Sequence, residues 1–337
     1  MPQLREQRKY ESLKLSSLPM KRPAFKRLAS ALLWVGLIGS FPSLLLAADP
    51  SLNTSRLKIC IENAQTYLDE KEPTAVSEKC FEEALKAASG HAIKKSPDGE
   101  TRIVGYKNMI WIETKQTQPA ETAPTALAVT SRKLIAGNHT ELKTITALAL
   151  DLKNQEVFIL DSRRGLVLSF DLRYPGNVAP KRVLKNHRLI DATTLAVSAD
   201  SQDLIIAHSK KSQILFFSRL ADVEGKKDKN KTALLKTLSG DLTQINSAQD
   251  ILVIPEHQEL AILDQDKNQI LFFNSTVSGS SAPKRVIRGQ ATRLESPVQM
   301  NYLVHSDQLE ILNLSGSKLF FPRDSSGEVS PLNSENY

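Results

Sequence analysis

The side chains best able to bind a metal or exchange protons in this 337-residue chain are its six histidines. They are His91, His139, His187, His208, His257 and His305. No HExxH or HxH pattern surrounds them, and no cluster of carboxylates has metal-ligand spacing. A G-x-S-x-G nucleophile motif and a glycine-rich phosphate loop are also missing. The residue types therefore predict no catalytic constellation, no metal site and no cofactor, and we expect the protein not to be an enzyme.

The chain has two cysteines, Cys60 and Cys80. Their spacing excludes a CxxC redox motif and a CxxCH haem motif. An even pair in an oxidising compartment predicts a disulfide between them. Such a bridge would stabilise a small unit by roughly 2–4 kcal/mol.

Residues 225–231 (GKKDKNK) are an insertion rich in lysine. Its cations are Lys226, Lys227, Lys229 and Lys231. One interpretation is a solvated hairpin loop. The other is a contact for an anionic partner, such as a lipid headgroup, an acidic glycan or an acidic protein.

The net charge of +7 lies almost entirely at the N-terminus. Residues 1–48 contain eight Lys and Arg against two Glu, which leaves +1 for the remaining 289 residues. A nearly neutral body predicts no nucleic-acid partner. Residues 28–48 are free of charge and follow Lys26 and Arg27. This pattern is typical of a signal peptide cut after Ala48, and it predicts a periplasmic or secreted protein.

The same segment is long enough to be an uncleaved anchor in the inner membrane, facing the periplasm. In that case the protein would contact the membrane only through this segment. Met20 offers a better start for an export signal, so residues 1–19 are expected to be a mis-assigned extension or a cytoplasmic tail.

Residues 49–92 are expected to form a helical hairpin linked by the disulfide. Apolar residues recur at three- and four-residue intervals in 52–68, and again in 76–88 after Pro73. Cys60 and Cys80 both lie on the inner faces of these predicted helices. The hairpin is interpreted as a cap, with a partner-binding helical repeat as the alternative.

An internal repeat dominates the second half of the chain. Its copies begin NQEVFILD, SQDLIIAH, HQELAILD and DQLEILN. The glutamines Gln155, Gln202, Gln258 and Gln308 mark the register, at intervals of 47, 56 and 50 residues. Each copy contains three short strands, and a fourth strand precedes the next copy. Four strands in 40–50 residues are one blade of a β-propeller.

Polar residues recur within these copies. His208 occupies the position of Asp161 and Asp264, and His139 and His187 are interpreted as equivalent to each other. A polar residue that recurs at one blade position is expected to close a turn by bonding to the backbone.

Residues 278–297 (SGSSAPKRVIRGQATRLESP) resemble the linker of bacterial NHL-type propeller repeats, within the six-bladed TolB-like and NHL-like superfamily. Residues 176–186 match its first half, and residues 134–142 and 237–245 match its second. The resemblance implies a propeller architecture. The family includes lactonases and lyases with metal or acid–base residues in the central funnel, and no such set can be matched in this chain.

The predicted fold is mainly β, with about five four-stranded blades, one degenerate, over residues 93–325. TRIVGY and NMIWIE would supply part of that degenerate first blade, and a four-bladed ring is the alternative. Residues 326–337 are polar and are expected to be a disordered tail. An exported scaffold that binds a protein or peptide is the predicted function. The alternatives are a lactonase- or lyase-like enzyme with a funnel metal, and a propeller completed by homo-oligomerisation.

Overall fold

A computed structural model describes residues 78–88, 92–96, 98–118, 127–198, 200–220 and 234–335. These residues form one α-helix, α1 (Glu78–Ala87), and five antiparallel four-stranded sheets. The sheets are the blades of a β-propeller, so the predicted mainly β fold with five blades is confirmed.

In every blade the strands follow one another in chain order. The first strands, which lie against one another around the centre, are β1 (Ile93–Lys95), β5 (Ala147–Asp151), β9 (Thr194–Ser198), β13 (Ala248–Ile254) and β17 (Pro297–Leu303). The second strands are β2 (Thr101–Tyr106), β6 (Glu156–Asp161), β10 (Asp203–His208), β14 (Glu259–Asp264) and β18 (Gln308–Asn313). The third strands are β3 (Met109–Gln118), β7 (Leu166–Asp171), β11 (Gln213–Ser218), β15 (Gln269–Asn274) and β19 (Lys318–Pro322). The outermost strands are β4 (Leu127–Ile135), β8 (Arg182–Lys185), β12 (Leu234–Ser239), β16 (Arg285–Ile287) and β20 (Asn333–Glu335).

Successive blades bury each other's apolar faces in four clusters. The phenylalanine that ends the third strand in the sequence repeat packs on the preceding blade each time. These residues are Phe170, Phe217, Phe273 and Phe321, all at most 1% exposed. Burying such a side chain contributes roughly 1.5–3 kcal/mol, so the regular spacing of the repeat reflects the blade interfaces.

Helix α1 packs on the other face of blade 1. Phe81 and Ala84 are fully buried there against Val104 and Trp111, and the half-buried Cys80 lies on the same side of the helix. The helix falls within the predicted second arm of the hairpin, and its predicted apolar face is the one that is buried. The predicted first arm, residues 52–68, lies outside the described residues.

Strand β20 lies where the sequence indicates a disordered tail. Asn333 and Ser334 pair with Phe320 and Leu319 of β19, and all three β20 residues are exposed. Backbone pairing needs no apolar side chain, so a polar segment can complete the blade. The segment GEVSP before it is a diverged copy of the linker that reads GSSAP in blade 4.

A glycine in this linker joins neighbouring blades. Gly176, Gly279 and Gly327 form parallel bridges to Ile135, Leu238 and Ile287, the outer strands of the preceding blades. For Gly327, the amide donates to Val286 O at 2.7 Å and its carbonyl accepts from Arg288 N at 3.1 Å. The linker motif is therefore a backbone connection between blades.

The register of the fourth repeat differs by one residue from the sequence alignment. Gln155, Gln202 and Gln258 have positive φ values of 53°, 60° and 51°, directly before the second strand. The residue with that conformation in blade 5 is Asp307, with φ 49°, whereas Gln308 already belongs to β18. Backbone conformation sets the equivalence, so Asp307 is the true counterpart of the three glutamines.

Candidate functional site

The polar residues that end the second strands are structural. Asp161, His208, Asp264 and Asn313 are all at most 2% exposed. Asp161 accepts from Thr144 N at 3.3 Å, and Asp264 accepts from the amide of Asn246 at 2.8 Å. The prediction that these positions close turns through the backbone is confirmed.

In each loop that enters blades 2 to 5, one backbone carbonyl accepts a side-chain hydrogen bond. The pairs are Arg164 Nη2 to Glu141 O at 2.8 Å, His208 Nε2 to Ile190 O at 3.0 Å, Gln269 Nε2 to Gln244 O at 3.1 Å and Asn313 Nδ2 to Arg293 O at 3.0 Å. Four different donors serve the same place in four blades. His208 thus takes a role that an amide or guanidinium fills elsewhere.

Burial lowers the pKa of His208 from its ordinary value of 6.5, and the neighbouring Lys211 ammonium lowers it further. The ring is therefore neutral at pH 7, with Nε2 donating to the carbonyl. Among the described residues, no three His, Cys, Asp or Glu side chains come together as metal ligands.

His139 and His187 are not equivalent. Ile135 and Leu184 occupy the same place in their blades, because each pairs with the second residue of the third strand. His139 follows Ile135 by four residues and His187 follows Leu184 by three, and both are exposed. The two Asn-His dipeptides therefore differ by one residue in their position within the blade, and their likeness is a coincidence.

The basic pair of the linker motif neutralises a buried glutamate in two blades. Lys181 and Arg182 contact Glu156, which is 1% exposed. Burial by itself raises the pKa of Glu156, but these two cations outweigh it and hold the pKa below 4.5. Lys284 and Arg285 contact Glu259 in the same way in blade 4. The motif is thus explained by packing, without a ligand.

A set of exposed cations lies on one end of blades 2 and 3. Antiparallel topology brings the hairpins between second and third strands to the same end as the loops that lead into each new blade. We define the basic loop face as the exposed cations of these segments, Lys143, Arg163, Lys185, Arg188, Lys210 and Lys211. Two exposed acids, Glu141 and Asp191, lie among them.

Hydrogen bonds hold the loops of this face together. Asp191 N donates to Ser162 O at 3.2 Å, and Asn186 N donates to Gly165 O at 3.0 Å. On the blade 3 side, Asp191 lies 3.7 Å from Lys210 Nζ, an exposed pair of little energetic weight. The cations therefore project from backbone that is fixed by neighbouring loops.

The equivalent loops of blades 4 and 5 carry balanced charge. Their exposed cations are Lys267, Arg288 and Arg293, and their exposed acids are Asp241, Asp266 and Glu295. The folding requirements of the blades are the same, so the excess of cations on blades 2 and 3 is not needed to build the loops.

A cleft of about 420 Å³ adjoins the basic loop face at blade 1. Lys107 and Lys143 line it, together with Asn108, Asn138 and Glu141. Lys107 is the exposed tip of the β2–β3 turn, with φ 54°, and its ammonium lies 5.6 Å from the centre of the Tyr106 ring. The cleft thus extends the positive surface across a third blade.

None of the site residues predicted from sequence belongs to the basic loop face. Cys60 and the four lysines of the 225–231 insertion lie outside the described residues, so the disulfide and the insertion contact stay predictions. The basic loop face was missed because its cations are scattered over separate repeats. Comparing charge at equivalent loop positions between copies was the signal that could have found it.

Within the described residues, no helix is long and apolar enough to cross a membrane. No protein-family model matches the chain, and no curated protein matches its sequence. Among solved structures it is similar to the β-propeller domain of Cps50 (Swd1) from Myceliophteria thermophila, at 10% identity and a TM-score of 0.45, over 74% of this chain and 72% of that one. A functionally unknown protein from Desulfotomaculum acetoxidans matches at 11% identity and a TM-score of 0.45, over 74% and 71%. The propeller assignment rests on the five blades of the chain itself.

Proposed function

We propose that this chain is an exported, non-catalytic scaffold that binds a protein or peptide partner in the cell envelope. The observation that carries the proposal is the basic loop face, an excess of exposed charge on rigid loops that folding does not require. Rigid loops suit recognition because little conformational entropy is lost on binding.

Export is supported by the sequence alone. The charge-free residues 28–48 after Lys26 and Arg27 fit a signal peptide, and the linker motif supports a repeat of bacterial NHL type. N-terminal sequencing of the protein from a periplasmic fraction should give a chain that starts at Asp49. Recovery only from the inner membrane, with residues 28–48 retained, would favour the anchored alternative.

The buried acids at the ends of the second strands already serve as hydrogen-bond acceptors, which supports the non-catalytic part of the proposal. These acids, Asp161 and Asp264, accept backbone hydrogen bonds. A lactonase- or lyase-like protein should instead contain Ca²⁺ or Zn²⁺ after purification. Elemental analysis of the wild type and of Asp264→Asn tests this, and stoichiometric metal lost in the variant would contradict a non-catalytic scaffold.

Affinity purification from the envelope fraction, with mass spectrometry of the bound proteins, tests partner binding. We expect one or a few proteins to bind stoichiometrically. Light scattering after size exclusion separates this result from self-association. A chain that is only homo-oligomeric and retains no other protein would contradict the proposal. A variant with Lys226, Lys227, Lys229 and Lys231 changed to Glu tests the insertion separately, since unchanged partners exclude it as the contact.

A further inference from the structure

We propose that the partner presents an acidic, extended segment with interspersed aliphatic side chains, and that this segment lies across the basic loop face. The inference rests on the proposed binding function and names the chemistry of the bound segment. The bound segment runs from the Lys107–Lys143 cleft of blade 1 over the loops of blades 2 and 3.

The charge of the surface sets the sign of the partner. Six exposed cations surround two exposed acids, and the cleft adds Lys107 at one end. Exposed charges of one sign attract an oppositely charged partner over a range of about 10 Å, and they raise its association rate. The equivalent loops of blades 4 and 5 lack this excess of cations, so the segment is directed to the blade 2 and 3 side of this end of the propeller.

The apolar residues of the face favour a peptide. Ile190 is 46% exposed, and in the chain it lies between Arg188 and Asp191, the residue that pairs with Lys210. An exposed aliphatic side chain among cations fits a segment in which aliphatic and acidic residues are mixed.

Nucleic acid fits this surface less well. Binding of single strands uses aromatic side chains on which bases stack. Among the described residues, the large hydrophobic side chains at this end that are at least 40% exposed are aliphatic, namely Ile190, Leu242 and Leu314. The Tyr106 ring beside the cleft is partly buried, with the Lys107 ammonium 5.6 Å from its centre. The exposed Tyr174 lies between β7 and β8, at the opposite end of the blade.

Fluorescence anisotropy with a labelled 12-residue peptide of repeat Glu-Glu-Leu-Gly tests the inference on the protein purified as it accumulates in the cell. The variant carries Arg163→Glu, Arg188→Glu and Lys211→Glu. The matched control carries Lys267→Glu, Arg288→Glu and Arg293→Glu, which are exposed on the same end and change the net charge equally. We expect the variant to bind at least 10-fold more weakly, and the control to stay within about 2-fold of the wild type.

Two altered peptides separate the contributions of charge and aliphatic side chains. Gln in place of Glu should abolish binding, and Ser in place of Leu should weaken it several-fold. Thermal unfolding shows whether the variants fold. If a variant does not fold, two measurements on the wild type provide the readout. Its affinity for the peptide should fall with rising salt, and it should not bind the Gln peptide.

The inference is overturned if the wild type does not bind the peptide or if both triple variants weaken binding equally. It is also overturned if anionic vesicles or a single-stranded oligonucleotide bind more tightly and lose affinity in the same variant. If a partner purified from the envelope binds both triple variants equally, the acidic-segment inference fails but the proposed binding function does not. The binding function fails only if the wild type retains no partner.

Discussion

The Lys94 ammonium lies 3.7 Å from Oδ1 of Asp250, and this pair joins the first strand of blade 1 to the first strand of blade 4. Asp250 is fully buried. Its carboxylate also accepts from Met300 N of blade 5 at 3.0 Å and from Thr194 Oγ1 of blade 3 at 3.4 Å. One carboxylate of blade 4 thus contacts three other blades, which makes it a junction of the ring.

Asp250→Ala is therefore expected to destabilise the propeller by roughly 3–5 kcal/mol, because it leaves the mostly buried Lys94 ammonium and the Met300 amide without their acceptor. Guanidinium denaturation measures the change. Lys153→Met is the control, since Lys153 pairs with Asp200 where both side chains are more than half exposed, and no measurable change is expected. Equal effects of the two substitutions would exclude Asp250 as a junction.

Gly289 is expected to be sensitive to any side chain. Its φ of 118° and ψ of 168° lie in a region that is essentially restricted to glycine, and an added Cβ would be 2.6 Å from Cδ of Glu328. Gly289→Ala should cost about 2–3 kcal/mol of unfolding free energy, mainly as backbone strain, because the exposed Glu328 side chain can move aside. Gly279→Ala is the matched test, with φ 67° and no atom within 4 Å of the added Cβ, and it should cost about 1 kcal/mol. A larger loss at Gly279 would contradict the explanation from backbone conformation.

His208 should make the stability depend on pH. Its folded pKa lies below the ordinary value of 6.5, so below that pH the unfolded chain binds a proton that the folded chain does not. The contribution is complete above pH 6.5 and decreases as the pH falls. His208→Asn keeps a donor to the Ile190 carbonyl, as Asn313 does for Arg293. Between pH 7 and 5 the wild type should therefore lose more unfolding free energy than this variant.

The difference between the two proteins isolates His208, because every other titrating group is common to both. Denaturation curves at several pH values provide it. A constant difference from pH 7 to 5 would mean that His208 titrates alike in the folded and unfolded chains.

Cys60 and Cys80 are expected to be disulfide-bonded, because the proposed export would place them in an oxidising compartment. Peptide mapping without reduction should recover the two cysteines as one linked peptide. Cys60→Ser should lower the unfolding free energy by roughly 2–4 kcal/mol, because the bridge restricts the unfolded chain. Two free thiols in protein taken from the envelope would contradict this prediction.

The repeat made most of the fold predictable from sequence. A strand period with phenylalanine at a fixed place predicts the blades, and the structure shows why, because Phe217 and Phe273 fill the interfaces with the preceding blades. The predicted turn role of Asp161 and Asp264 follows from the same regularity. These features depend on local pattern and burial, which a sequence displays directly.

Other features depend on backbone pairing, which side-chain types reveal poorly. Strand β20 was missed because its residues are polar and exposed, although Gly327 and Pro331 retain the linker spacing. Gln308 matches the three glutamines in residue type, but Asp307 matches them in backbone conformation, which residue type does not reveal. The basic loop face was missed because its members are distant in sequence and meet only when blades 2 and 3 are side by side.

Photo-crosslinking in intact cells tests whether a protein partner binds at the basic loop face. A photoreactive residue is placed at Arg188 in one strain and at Arg293, on the equivalent loop of blade 5, in another. We expect a crosslinked protein partner at position 188, with the crosslink falling within an acidic segment, and little or none at 293. Equal crosslinking at both positions, or none at 188 while the protein is folded and abundant, would contradict it.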